Sequence, residues 1–220
     1  MKYYGRFVYA LIGICLLLSA CATWADDAND LNLAVSRDES HGLSKLLEKG
    51  VDPNLKEPQR GETPLMIAVR EKAMRSLEVL LDNPKTNIEA SANNGDTALM
   101  IASFTQNTAA VKALLAHDAE VNRHGWAPLH YAAAVGGTEI VKLLLDKSAY
   151  VDAESPNKTT PLMMAARGGQ TDAARALIDG GADVSLKNDQ GLSALDFALK
   201  NEHRDTAELI KSALKPAASN

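Results

Sequence analysis

Cysteine is nearly absent. The two present, Cys15 and Cys21, both lie within the first 21 residues. The body of the chain therefore has no disulfide scaffold, no thiolate metal site and no cysteine nucleophile, and its stability must come from packing alone. Aromatic residues make up only 5% of the 220, so a core has to be assembled from Ala, Leu, Ile and Val. A basic surplus is also missing. Lys and Arg number 23 against 28 Asp and Glu, for a formal charge of −5. Lys2 and Arg6 are the only charges in residues 1–25, so the remainder carries −7. An acidic body excludes nucleic acid as an expected partner, because that binding is dominated by basic contacts to phosphate. It gives no reason to expect contact with anionic lipid either.

Catalytic constellations are missing as well. The histidines are His41, His117, His124, His130 and His203, and no two form HEXXH or another compact ligand pair. No serine sits in a GXSXG elbow. The glycine pairs Gly136-Gly137, Gly168-Gly169 and Gly180-Gly181 stand at helix breaks rather than in a phosphate loop. These absences point to a non-enzymatic protein with no cofactor and no metal.

The amino terminus differs from the rest. Lys2 and Arg6 give a positive start, Phe7 to Leu18 is an apolar run interrupted only by Gly13 and Tyr9, and small residues follow. This is the layout of a secretory signal peptide over residues 1–25, and the run falls short of the roughly 20 apolar residues a membrane span needs. Two processing routes stand side by side. Leu18-Ser19-Ala20-Cys21 is similar to a bacterial lipobox, with Cys21 as the lipidated residue. Ala20-Cys21-Ala22 and Thr23-Trp24-Ala25 are similar to ordinary cleavage sites. An exported bacterial protein is expected, either free in the periplasm or tethered as a lipoprotein facing it.

The body is periodic. Gly125 to Asp152 reads as one two-helix unit. Pro128 suits a first helical turn, and Leu129, Ala132 and Ala133 give a small apolar face. Gly136-Gly137 breaks the helix, Thr138 is placed to cap the next, and Ile140, Val141, Leu143, Leu144 and Leu145 form its stripe. Such a unit cannot bury its apolar faces alone. Equivalent units begin at Thr63-Pro64-Leu65-Met66-Ile67-Ala68, Thr97-Ala98-Leu99-Met100-Ile101-Ala102, Ala127-Pro128-Leu129-His130-Tyr131-Ala132, Thr160-Pro161-Leu162-Met163-Met164-Ala165 and Ser193-Ala194-Leu195-Asp196-Phe197-Ala198, spaced by 34, 30, 33 and 33 residues. A period near 33 marks a solenoid.

On these five motifs in register, the chain resembles the ankyrin-repeat family from about residue 28 onward. The resemblance implies an all-α solenoid of about six helix–turn–helix repeats with finger loops. They run over about residues 28–58, 59–92, 93–122, 123–155, 156–188 and 189–215, in one ankyrin-repeat domain over 28–215, with a tail at 216–220. The outermost repeats are expected to act as caps. The fourth repeat follows a shortened finger, Arg123-His124-Gly125, and carries Ala127 where the family commonly has a threonine that partners the motif histidine. His130 is therefore expected to be structural, but without that pairing. Met66, Met100, Met163 and Asp196 hold the same motif position and are expected to pack rather than bind metal. Asp52, Glu89, Glu120, Asp152 and Asp183 fall at exit-loop positions, where turn capping outweighs a calcium site.

The resemblance further implies a monomer that binds a partner protein on its concave face. Positions carried over by register are Arg60, Glu62, Arg70 and Glu71, then Asn94, Asp96, Phe104 and Thr105, then His124, Trp126 and Val135, and finally Thr159 and Arg167. Trp126 and Phe104 stand out because exposed aromatics and arginines most often anchor interfaces. The expected function is a scaffold or adaptor in the bacterial envelope. The alternative is a dedicated inhibitor, immunity or accessory protein for one envelope enzyme.

Overall fold

A computed structural model describes residues 27–214. The leader, the lipobox with Cys21, and the tail at 216–220 lie outside the described residues. Within them the chain is all-α: twelve helices, no strand, and one isolated bridge between Lys187 and Ser193. No helix among the described residues is long and apolar enough to cross a membrane. Two compact units divide at Asn87/Ile88.

The first unit holds helix α1 (27–36), α2 (Ser40–Glu48), α3 (Pro64–Glu71) and α4 (Met74–Leu81). Leu31, Val35, Leu43, Val69, Leu77 and Leu80 are among its fully buried aliphatics. Its two repeats are locked by Asp38, in the turn between α1 and α2. The Asp38 carboxylate accepts a hydrogen bond from the Ser76 N–H at 2.8 Å and one from Arg75 Nε at 3.0 Å, and so satisfies an orphan donor at the start of α4. Burial pushes this carboxyl up, but those bonds outweigh it and hold it below its ordinary range.

The second unit holds α5 (Ala98–Phe104), α6 (Thr108–Ala116), α7 (Pro128–Ala134), α8 (Thr138–Asp146), α9 (Pro161–Arg167), α10 (Thr171–Asp179), α11 (Ala194–Lys200) and α12 (Arg204–Leu214). The short helices α5, α7, α9 and α11 form one row and pack on one another in that order. Behind them, α6, α8, α10 and α12 form a second row, with Val111, Leu114, Val141, Leu144, Leu177 and Ile210 buried between the rows.

The cap expected at Thr138 is shifted by one residue, and α6 shows the same arrangement. Thr108 and Thr138 are the first residues of α6 and α8, not their caps. Asn107 caps α6 through its side-chain oxygen, and Gly137 precedes α8 with no side-chain cap. The tight break between paired helices needs a left-handed residue in every repeat. Glycine fills it only at Gly136 and Gly169, while Asp38, Lys72, Gln106 and Glu202 adopt φ of 52° to 61°. Gly169 has a second constraint: an added Cβ would sit 2.6 Å from Nδ1 of His203.

The exit loops form a ladder. Glu89 accepts from the Glu120 N–H at 2.8 Å, Asn122 from the Tyr150 N–H at 2.8 Å, and Asp152 from the Asp183 N–H at 3.1 Å. Within the first unit, Asn54 accepts from the Asn87 N–H at 2.7 Å. Within the second unit a side chain two residues beyond one rung receives the next: Asn122 follows Glu120, and Asp152 follows Tyr150. Burial, and then the neighbouring Asp183 carboxylate, push the Asp152 carboxyl up. The contribution of a raised acid is present at low pH and is lost as pH rises through its folded pKa. Asp152→Asn keeps the acceptor, as Asn54 and Asn122 do, and removes the repulsion. We expect it to raise stability at pH 7 by a few tenths of a kcal/mol, read as a higher urea midpoint, with the gain vanishing near pH 3. A lower midpoint at pH 7 would count against the repulsion.

Candidate partner-binding face

The inner helices of the second unit run in register, so their fourth and seventh positions form two rows. The fourth row is Ile101, Tyr131, Met164 and Phe197. The seventh is Phe104, Ala134, Arg167 and Lys200. Phe104 is 56% exposed and meets the Tyr131 ring edge-on at 6.2 Å. The Tyr131 hydroxyl donates to the Asp96 carboxylate, and burial, followed by that bond and charge, pushes the phenol pKa up. The finger residue Trp126, 38% exposed, stands edge-on to the His130 ring at 5.3 Å.

Trp126 lines two recesses. On one side an apolar pocket of about 200 Å³ lies among Phe104, Trp126, His130, Tyr131, Ala134 and Met164. It exists because the seventh position of α7 is Ala134, the smallest side chain in its row. On the other side a groove of about 430 Å³ continues between Trp126 and Phe197, past Met164, Arg167 and Lys200 and under the amides Asn157, Asn188, Gln190 and Asn201.

His130 builds the floor. It is fully buried, its Nδ1 accepts the Ala127 N–H at 3.1 Å, and its Nε2 lies 3.0 Å from the Thr159 carbonyl. The first bond requires Nδ1 to be bare, so Nε2 carries the proton and donates. Burial, more than these bonds can offset, pushes its pKa down. The pairing that Ala127 put in question is thus made by the backbone at that position and needs no threonine side chain. Met100 and Met163 play the same part with sulfur, at 3.3 Å from the Thr97 N–H and 3.5 Å from the Thr160 N–H. The Asp196 carboxylate does so at 2.8 Å from the Ser193 N–H. In these four repeats the motif residue is a helix-start acceptor as well as a packing residue.

The candidates taken from the sequence are divided by their surroundings. Phe104, Trp126 and Arg167 come together on the inner face, and His124 is exposed on the shortened finger beside Trp126. Val135 is half-buried at the end of α7, and its carbonyl accepts from Gln106 Nε2 at 2.9 Å. Thr159 is buried, with its carbonyl taken by His130. Asp96 is held by Tyr131 and by Asn94, and Thr105 bonds back to the Ile101 carbonyl. In the first unit Glu62 is buried and ion-paired to Arg70, with Arg60 at 3.9 Å, while Arg70 Nε reaches Glu71 at 3.3 Å. That cluster consumes its own charges. Register reading overlooked Tyr131, Met164, Phe197 and Lys200, although their spacing of 30 to 33 residues from helix to helix along each row was available. Among the described residues no group of three or more His, Cys, Asp or Glu is placed to hold a metal.

A family model described as ankyrin repeats matches three times, over residues 31–124, 77–155 and 129–219. The chain belongs to the ankyrin-repeat family. Among its relatives is human neurogenic locus notch homolog protein 1, 31% identical over 137 residues, which covers 61% of this chain and 5% of that protein. FPV031 of fowlpox virus (strain NVSL), named for ankyrin repeats, is 36% identical over 166 residues, 71% of this chain and 49% of that protein. Human SH3 and multiple ankyrin repeat domains protein 2 is 36% identical over 121 residues, 52% of this chain and 6% of that protein. The chain thus spans half or less of each relative's length. The likeness is to their ankyrin repeats, which serve generally as protein–protein interaction modules.

Proposed function

We propose that the chain is a non-enzymatic scaffold or adaptor, acting as a monomer, that presents the inner face of its second unit to a partner protein in the bacterial envelope. The observation that carries this reading is Trp126. A large aromatic is held on a buried histidine, remains 38% exposed and separates an apolar pocket from a polar groove. Exposed Trp and Arg on a rigid framework are the residue types that concentrate binding energy. Envelope location is supported by the leader pattern of Lys2, Arg6 and the Phe7–Leu18 run. Membrane partitioning of Cys21→Ala separates a lipid tether from a soluble form.

The test is capture from envelope extract with the wild type and with Phe104→Ala/Trp126→Ala. Truncating two anchors should weaken capture by roughly 30-fold or more, since losing the pair is expected to cost at least about 2 kcal/mol, while helical circular dichroism and the urea midpoint stay close to wild type. Undiminished capture by a folded double variant would remove this face from the function. A single stoichiometric enzyme among the captured proteins would turn the adaptor reading into the dedicated-inhibitor one.

A further inference from the structure

The inner face of the second unit carries a polarity that its acidic body does not predict. The seventh-position row passes from Phe104 and Ala134 to Arg167 and Lys200, so an apolar pocket lies at one end and two cations at the other. Neither cation makes an ion pair within the described residues, and no carboxylate lines either recess. The nearby acids are occupied elsewhere. Asp96 holds the Tyr131 hydroxyl, Asp196 caps α11 through Ser193, and Asp189 is drawn to Lys158 at 3.9 Å. In a chain of net charge −5, a groove with two unpaired cations and no acid selects for negative charge.

We propose that this groove binds an extended acidic segment of the partner protein, with an apolar side chain in the Phe104–Trp126–Met164 pocket and carboxylates on Arg167 and Lys200. This rests on the inner face being the partner site. The spacing follows from the fold. Packed helices lie about 8–10 Å apart, and an extended chain advances about 3.3 Å per residue. A segment crossing the row therefore meets Arg167 about three residues after its apolar anchor and Lys200 about three residues later. Arg167 offers a fork matched to a carboxylate, and Lys200 a point charge. Asn157 Oδ1 is taken by Ser155, Asn188 Oδ1 by the Gln190 and Leu192 N–H groups, and Asn201 Nδ2 by the Phe197 carbonyl, which leaves the Asn157 Nδ2 and Gln190 donors and the Asn201 Oδ1 acceptor for the peptide backbone.

The experiment uses synthetic 12-residue peptides titrated against the chain purified as the cell processes it. One set carries Leu or Phe followed at three and six residues by Asp or Glu. Matched sets replace both acids by Gln or by Lys. Single-stranded DNA and a sulfated oligosaccharide are run alongside. The acidic set is expected to bind at least tenfold tighter than the Gln set, with affinity falling as salt is raised. Arg167→Ala and Lys200→Ala should each reduce acidic-peptide affinity about tenfold and leave Gln-peptide affinity unchanged. Equal binding of acidic and Gln peptides, tighter binding of the DNA or oligosaccharide than of any acidic peptide, or indifference to both substitutions would overturn the assignment. If all peptides fail while capture from extract still depends on Phe104 and Trp126, the acidic-segment inference falls and the partner face stands. If that capture is independent of Phe104 and Trp126, the partner face itself falls.

Discussion

His130→Ala is expected to lower the unfolding free energy by about 3 kcal/mol, measured by urea titration at pH 7. The ring is fully buried. Its removal strips the Ala127 N–H of its acceptor and the Thr159 carbonyl of its donor, and leaves a void beside Trp126. Two unpaired backbone groups and a cavity each carry a penalty. His130→Met separates these effects. A thioether accepts the helix-start N–H, as Met100 and Met163 do, and it fills the space but cannot donate to Thr159. About half of the loss should return. A Met variant no better than Ala would contradict the acceptor role.

The same residue sets a pH dependence. In the unfolded chain a histidine protonates near pH 6.5. In the fold, burial pushes the His130 pKa down, so the ring stays neutral while the unfolded chain gains a proton. Its stabilisation is whole above about pH 6.5 and is lost as pH falls below that value toward the folded pKa. The lowered carboxyls of Asp38 and Asp196 act in a lower window, below about pH 4. The wild type should therefore lose stability between pH 7 and pH 5, and His130→Met should show a flatter profile there.

The repeat architecture was legible because it rests on a periodic signal. Five motifs in register placed every inner helix of α3, α5, α7, α9 and α11 within a residue of its observed start. Local capping was less legible. Thr108 and Thr138 carry the residue type that prefers a cap, but the left-handed residue two positions earlier sets the chain path and makes them first-turn residues. The left-handed positions themselves were visible only where glycine marked them. Lys72, Gln106 and Glu202 accept the same conformation because tertiary packing outweighs a local cost of about 1–2 kcal/mol.

The candidate face was half legible. Trp126, Phe104 and Arg167 were found by residue type. Lys200 and Phe197 were not, because they lie in the last repeat, which was expected to act as a cap. Whether a charge is spent cannot be read from one chain in sequence. Arg70 and Arg167 occupy the same register position, yet Arg70 closes on buried Glu62, and Arg167 faces a groove free of acids. The pocket depended on a small residue, Ala134, whose role comes only from its larger neighbours.

Leu144→Ala is expected to cost about 3 to 4 kcal/mol, and its consequences should spread further than those of Ile210→Ala. Both side chains are fully buried, so area alone does not separate them. Their neighbours do. Leu144 lies on α8, which packs against α6, α7 and α10, whereas Ile210 lies on α12, which packs against α10 and α11. Around Leu144, helices on both sides hold the cavity open, and large-to-small losses grow with the cavity that remains. At α12 the last helix can move inward or fray, which limits the cost to about 2 kcal/mol. In a repeat array stability is a sum of unit and nearest-neighbour contributions, so a central lesion also uncouples the repeats that it joins. Amide hydrogen exchange reads the difference. Ile210→Ala should expose amides of α11 and α12 and leave those of α5 to α8 protected. Leu144→Ala should weaken protection in α6 and α10 together and lower the urea m-value. Protection lost equally across the second unit in both variants would mean that the unit unfolds as a single block.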